Sequence, residues 1–279
     1  SSETCALDTV GAEFVRDVLP GEVVTITSKG IESDTSLCQK KNARCIFEYI
    51  YFARPDSKID GMGVYESRIN AGRILAKTHP VDADLVVGVP ESGNPAALGF
   101  SLESGIPYGN AFIKNNYVGR TFIKPKQAQR ESSVKVKLNV LKEAVAGKRV
   151  VMIDDSIVRG TTSARIVSLL KNSGAKEVHV RPACPPIMYG CKYLNFSRSR
   201  SEMELIARQM IQKREGDNCP QEVLDEYADP CTCKYEQMIE DIRKQQNFTT
   251  LRYHRLDDLL ASIGIEPCKV CTYCFNGKE

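Results

Sequence analysis

The stretch Val150-Val151-Met152-Ile153-Asp154-Asp155-Ser156-Ile157-Val158-Arg159-Gly160-Thr161-Thr162 runs from an apolar tetrapeptide into two adjacent acids, then into a short loop of small and hydroxyl residues. Ala164, Ile166, Val167, Leu169 and Leu170 follow at helical spacing until Gly174. That order predicts strand, loop and helix. The loop places backbone N–H groups and hydroxyls at a helix N-terminus, where the macrodipole favours a phosphate. Asp154 and Asp155 end the strand beside it, where they can hold Mg²⁺ or accept hydrogen bonds from sugar hydroxyls. These are the parts of a site for a phosphorylated ribose. A single acid after a strand commonly does no more than cap the next helix. A pair followed by Ser, Arg-Gly and Thr-Thr asks for more. The Gly-x-x-x-x-Gly-Lys pattern of a Walker loop is missing.

Outward from this unit the chain alternates strand and helix. A helix is expected from Ile69 to Lys77 and a strand over Asp84–Val89. The turn Pro90-Glu91-Ser92-Gly93-Asn94 then opens a helix from Pro95 toward Glu103, with Gly105 past its end. Another strand is expected near Tyr108 to Ile113, and one over Glu177 to Ala183 after the signature helix. Such alternation implies an α/β fold with a mostly parallel sheet flanked by helices. Past Arg198 the sequence turns to charged helix formers (Ser201 to Glu215, Tyr235 to Gln246) with scattered cysteines, which reads as a C-terminal helical, cysteine-rich appendage. The first residues hold only short apolar strands, Phe14-Val15 and Val23 to Ile26, and suggest the tail of something larger.

A chain of 279 residues with net charge +3, 42% hydrophobic and 26% charged residues fits a soluble globular protein of one large α/β domain, or of one domain with an appendage. The charge is too small and dispersed to suggest nucleic acid. No apolar run approaches the ~20 residues of a membrane span, and Ser1-Ser2-Glu3-Thr4 is no signal peptide, so the expected location is cytoplasmic. Eleven cysteines are many for that compartment. Their odd number and the chain length argue against a disulfide scaffold and for metal or cluster ligation.

Two further stretches carry chemistry. The Val89–Asn94 turn sits between strand and helix, and its amides could bind a diphosphate. The segment from Lys114 to Asn139 is polar, basic and long for a connection in a compact domain. Cys268-Lys-Val-Cys271-Thr-Tyr-Cys274 is a C-x₂-C-x₂-C run whose spacing suits zinc or an iron–sulfur centre equally. His79, His179 and His254 lack ligand spacing and read as structural.

Asp154-Asp155-Ser156-Ile157-Val158-Arg159-Gly160-Thr161-Thr162 resembles the phosphoribosyl pyrophosphate (PRPP) signature of type I phosphoribosyltransferases. It is close to the form found in glutamine PRPP amidotransferases, and the resemblance extends from Glu3 to Cys274, breaking mainly between Arg208 and Arg252. The family's diphosphate turn usually reads Pro-Asp-Ser-Gly, where this chain has Glu91. The resemblance implies a type I phosphoribosyltransferase fold that makes 5-phosphoribosylamine and pyrophosphate from PRPP and ammonia, the first step of purine synthesis. It implies PRPP binding by Glu91, Ser92, Gly93, Asp154, Asp155, Ser156, Ile157, Val158, Arg159, Gly160, Thr161 and Thr162. Mg²⁺ would lie at Ser92, Asp154 and Asp155. Lys114 and Lys137, with the acids, would serve catalysis from a loop that orders over PRPP. The resemblance also tips the cysteines toward a 4Fe-4S cluster on Cys45, Cys191, Cys271 and Cys274, and leaves Cys219, Cys231, Cys233 and Cys268 without a role. It further implies a homo-oligomer and purine nucleotides as inhibitors.

The implied division is residues 1–29 as the remnant of a glutaminase-like domain, 30–200 as the transferase domain, and 201–279 as the cluster-binding segment. Full members begin with a glutaminase whose first residue is Cys. This chain is thus expected to be a fragment, or the partner of a separate glutaminase subunit, and to use ammonia only when alone. Two rival readings are a nucleobase salvage phosphoribosyltransferase, which leaves the four cysteines unexplained, and a non-catalytic PRPP-sensing regulator.

Overall fold

The computed structural model describes residues 1–38, 43–115, 138–194 and 202–278. Its centre is a parallel sheet in the order Thr250–Leu251, Glu177–Pro182, Arg149–Asp154, Leu85–Gly88. Tyr108 extends it by a single parallel bridge to Val86. The two-residue period of a strand sends alternate side chains to opposite faces. Val150 and Met152 accordingly pack with Ile166, Leu170, Met210 and Met238. Val151 and Ile153 pack on the other face with Leu75, Ala97 and Phe100. All four strand residues are fully buried, and each such side chain contributes roughly 1.5–3 kcal/mol.

The second face is covered by the helices Val64–Thr78 and Asn94–Ser104, which cross at near backbone contact. A Cβ on Gly72 would stand 1.9 Å from the Ala96 carbonyl oxygen, and one on Gly99 would stand 2.0 Å from that of Ile69. Only glycine fits either position. The first helix starts at Val64, earlier than the expected Ile69, because its opening turn includes a buried polar pair, Ser67 and Arg68, that breaks the apolar pattern.

Residues past 201 are helical as expected, at Ile206–Glu215, Gln221–Ala228, Cys233–Gln245 and Leu256–Ile263. The first three pack into the main core, and Thr250–Leu251 becomes the sheet's edge strand. A separate core joins Ile46, Phe47 and Tyr49 to Leu259, Val270 and Phe275.

Near the N-terminus, Phe14-Val15 is irregular rather than a strand. Val23–Thr27 pairs antiparallel with Gly30–Asp34 and leaves Val23, Ile26 and Ile31 exposed. The preceding helix, Thr4–Thr9, is tied down. The Glu3 carboxylate accepts from the Arg54 N–H and the Ser57 hydroxyl, both at 2.8 Å. Among the described residues, no helix is long and apolar enough to cross a membrane.

Candidate active site

Neighbouring parallel strands Leu85–Gly88 and Arg149–Asp154 end side by side, and each turns directly into a helix. The crevice at such strand ends is where open α/β sheets bind ligands. Both turns are packed onto the sheet. The Val89 N–H donates to the Ile153 carbonyl at 2.8 Å, and a Cβ on Gly93 would lie 2.6 Å from that same oxygen. The Pro90–Glu91 peptide is cis. Gly160, at φ +79°, caps the second helix. No side chain caps either helix; the second N-terminus offers its backbone N–H groups to the crevice, while at the first the Gly93 and Asn94 N–H groups already bond to the Val89 and Glu91 carbonyls.

Asp154 closes its strand and is buried. One of its oxygens accepts the Asp155 N–H at 3.0 Å. Asp155 accepts from the Ser156 hydroxyl at 2.6 Å and, through its other oxygen, from the Ser92 hydroxyl. Ser92 therefore links the two turns through one carboxylate. Burial, then the neighbouring Asp155, pushes Asp154 well above the usual carboxylate range. Burial raises Asp155 too, opposed by Ser156, Ser92 and the Arg68 guanidinium. Two adjacent carboxylates out of water favour a bound cation.

The rest of the loop divides by burial. Ile157 is an anchor in the main core and Val158 packs against the cysteine-side core, so they can meet a ligand through backbone only. Arg159 is exposed and pairs with Glu204 at 2.8 Å, while Thr161 and Thr162 are exposed at the helix start. On the other turn Glu91 pairs with Lys114 at 3.1 Å. Lys114 ends the strand Phe112–Lys114, which pairs with Leu138–Val140. Lys137 lies outside the described residues.

Strand Val270–Cys271 pairs in parallel with Arg44–Cys45, which places Cys271 opposite Cys45. Cys274 is buried, and its carbonyl accepts the Met188 and Tyr189 N–H groups, which fixes the segment carrying Cys191. Burial pushes the Cys45 thiol up to about 11 and that of Cys274 to about 12, with Cys191, Cys45 and Cys271 adding to the latter. Cys231, Cys233 and Cys268 are exposed, and Cys219 packs beside the main core. No group of three or more His, Cys, Asp or Glu side chains among the described residues is arranged to hold a metal ion. His254 is buried between the Arg255 and Ala71 carbonyls at 3.0 Å each, and His179 faces the Thr250 hydroxyl, also at 3.0 Å.

Arg68, absent from the motif reading, is buried beside this crevice. A charged residue in a helix ordinarily reads as solvated, and only the packing reveals it.

Residues 69–184 match the phosphoribosyl transferase domain family, and the parallel sheet with flanking helices is the type I phosphoribosyltransferase fold. The chain is 44% identical over 279 residues to the amidophosphoribosyltransferase of Mycobacterium tuberculosis (strain ATCC 25618 / H37Rv), covering all of this chain and 48% of that protein. It is 54% identical over 202 residues to that of Archaeoglobus fulgidus, covering 72% of this chain and 44% of that protein. The solved structure of glutamine PRPP amidotransferase from B. subtilis, complexed with ADP and GMP, matches with TM-score 0.81 at 43% identity, covering 99% of this chain and 55% of that one. The chain is similar to amidophosphoribosyltransferases along its whole length, and it spans about half the length of the curated relatives it matches.

Proposed function

We propose that this chain forms 5-phosphoribosylamine and pyrophosphate from PRPP and ammonia, the first step of purine synthesis. The observation that carries the reading is the Ser92–Asp155 hydrogen bond, which joins two helix-opening turns and an acid pair in one crevice. The loop Ser156–Thr162 binds the 5′-phosphate through its N–H groups and hydroxyls. Ser92, Gly93 and the Glu91 backbone bind pyrophosphate, and Asp154 and Asp155 engage the ribose diol. Ammonia nitrogen bonds to C1 as the C1–O bond to pyrophosphate breaks and the electron pair leaves with pyrophosphate. The added nitrogen then loses a proton to solvent. No protein base is needed, so catalysis is positioning and charge placement. Lys114 supplies positive charge at the pyrophosphate end once Glu91 releases it.

The all-oxygen donors Ser92, Asp155 and Asp154 fit Mg²⁺, which binds through one or two carboxylates with substrate phosphates completing its shell. It would neutralise the leaving pyrophosphate. Cys45, Cys191, Cys271 and Cys274 are the all-thiol donor type that holds a 4Fe-4S cluster, and strand pairing and the Cys274 carbonyl bring their segments together. Its contribution would be to fasten those segments together. Purine nucleotides, which the B. subtilis structure contains, fit the 5′-phosphate loop as competitors.

The test is pyrophosphate release from PRPP by the purified chain with ammonium or with free nucleobases. Release should require ammonium and Mg²⁺ and rise with pH as free ammonia increases. Release driven by a nucleobase and not by ammonium would establish a salvage transferase instead.

A further inference from the structure

The loop of residues 156–162 is gripped from behind by side chains that come much later in the sequence. The match to the phosphoribosyl transferase domain family ends at residue 184, and the grip comes from Glu204, Ile206 and Gln246. The Ile206 N–H donates to the Val158 carbonyl at 2.9 Å. The Glu204 carboxylate pairs with Arg159 Nη2 at 2.8 Å. At Gly160 a Cβ would stand 2.4 Å from Ile206 Cδ1 and 2.8 Å from Gln246 Nε2. Three consecutive loop residues thus meet the C-terminal helical segment, by a backbone hydrogen bond, an ion pair and close packing. Gly160 answers two separate demands, a φ of +79° and the lack of room for any side chain.

These contacts differ in weight. Arg159 and Glu204 are both exposed, so their pair adds little. Ile206 and Gln246 are 1% and 7% exposed. Ile206 belongs to the main core together with Ile157, while its neighbour Leu205 belongs to the cysteine-side core on which Val158 packs. The start of the helix Ile206–Glu215 is therefore pinned from both sides, and a close-packed support of this kind yields little. Gln246 ends the helix Cys233–Gln245, its backbone N–H bonded to the Ile242 carbonyl at 2.9 Å. Its side-chain Oε1 is buried without a hydrogen-bond partner among the described residues. An unsatisfied buried amide costs stability, so stability alone does not explain a glutamine against Gly160.

We propose that Ile206 and Gln246 are positioning residues for 5′-phosphate binding: they set the height of Gly160, from which the helix Thr161–Asn172 presents its first N–H groups. This rests on the reading of residues 156–162 as the 5′-phosphate loop. Those N–H groups act only at hydrogen-bond range, so a loop that settles toward a vacated side chain loses its hold on the phosphate. Gly93, in the other turn, is packed against Val89 and Ile153 instead. The two ends of PRPP are thus supported by different parts of the chain.

The experiment measures PRPP binding with Mg²⁺, and its displacement by ribose 5-phosphate and by pyrophosphate. Ile206→Ala and Gln246→Ala should each weaken ribose 5-phosphate about tenfold or more and leave pyrophosphate unchanged. Ile206→Val, which keeps most of the side chain, should recover much of the loss. Leu224→Ala opens a cavity in the same core from the helix Gln221–Ala228, which makes none of these contacts, and should move neither ligand. If Ile206→Ala does not fold, Gln246→Ala decides, since it removes an unsatisfied oxygen from the interior. A folded Gln246→Ala variant without a selective loss of ribose 5-phosphate overturns the proposal. Amide hydrogen exchange on the free chain needs no ligand. Residues 160–164 should exchange faster in Gln246→Ala than in the wild type, with residues 90–94 unchanged, and equal rates at 160–164 would also overturn it. Failure of the wild-type chain to bind PRPP would instead count against the PRPP reading, while the exchange rates still decide whether Gln246 holds the loop.

Discussion

At the scale of single residues, the acid pair sets function against stability. Asp154 is buried beside a second carboxylate and its pKa is raised. In the range between its unfolded pKa and its raised folded pKa, the folded state binds more protons than the unfolded one. Its contribution to stability is therefore greatest below the ordinary carboxylate pKa and is lost as pH rises toward the folded value. Asn cannot ionise and is nearly isosteric. Asp154→Asn should thus stabilise the free chain at pH 7, read by denaturant unfolding, while PRPP turnover falls at least about 100-fold. A destabilised variant with full turnover would contradict both halves. The pair was legible in the sequence because two adjacent acids at a strand end are unusual in themselves. Arg68 was not, since nothing in a helical Arg announces that its charge is turned inward.

At the scale of elements, the turn Pro90–Asn94, proposed to bind pyrophosphate, is aimed by helix packing. The helix Asn94–Ser104 begins at that turn, and Gly99 lets it lie against the helix Val64–Thr78. Gly99→Ala must push the Ile69 carbonyl away, since the new Cβ would stand 2.0 Å from it. The expected cost is at least about 1–3 kcal/mol, with weaker PRPP binding as Ser92 shifts from Asp155. Thermal unfolding and PRPP titration check the two parts, and Ser104→Ala at the exposed end of the same helix should change neither. The strand–loop–helix units were readable because a buried apolar run and a 3.6-residue period differ sharply. Thr250–Leu251 was not, because two residues carry no period. Its place in the sheet comes from pairing with Glu177–Pro182, a contact far away in sequence.

At the scale of the whole molecule, the four mapped cysteines come from three separated stretches that meet at one end of the fold. Strand pairing joins Cys45 to Cys271, and the Cys274 carbonyl holds the stretch leading to Cys191. Protein purified without oxygen should be brown and contain iron and labile sulfide. Cys274→Ser should lose both and unfold at lower temperature, whereas Cys231→Ser, at an exposed position, should keep them. Stoichiometric zinc without sulfide would replace the cluster reading and leave the acid crevice as it stands. The C-x₂-C-x₂-C run showed in the sequence that a metal was plausible. Its distant partners required a resemblance, because spacing along the chain says nothing about which loops the fold brings together. The strand Glu177–Pro182 has a further consequence, in the order of synthesis. Its outer neighbour, Thr250–Leu251, emerges only after the helices through Gln245 have been made. At about 5–20 residues per second, the nascent sheet shows a raw edge for several seconds. That edge carries His179 and Arg181 in alternation with Val178 and Val180, and inward-facing polar groups discourage a stray strand from adding there. When Thr250 arrives, its hydroxyl meets His179 Nδ1 and Arg181 Nη1, both at 3.0 Å. The groups that guard the unfinished edge become the latch that closes it.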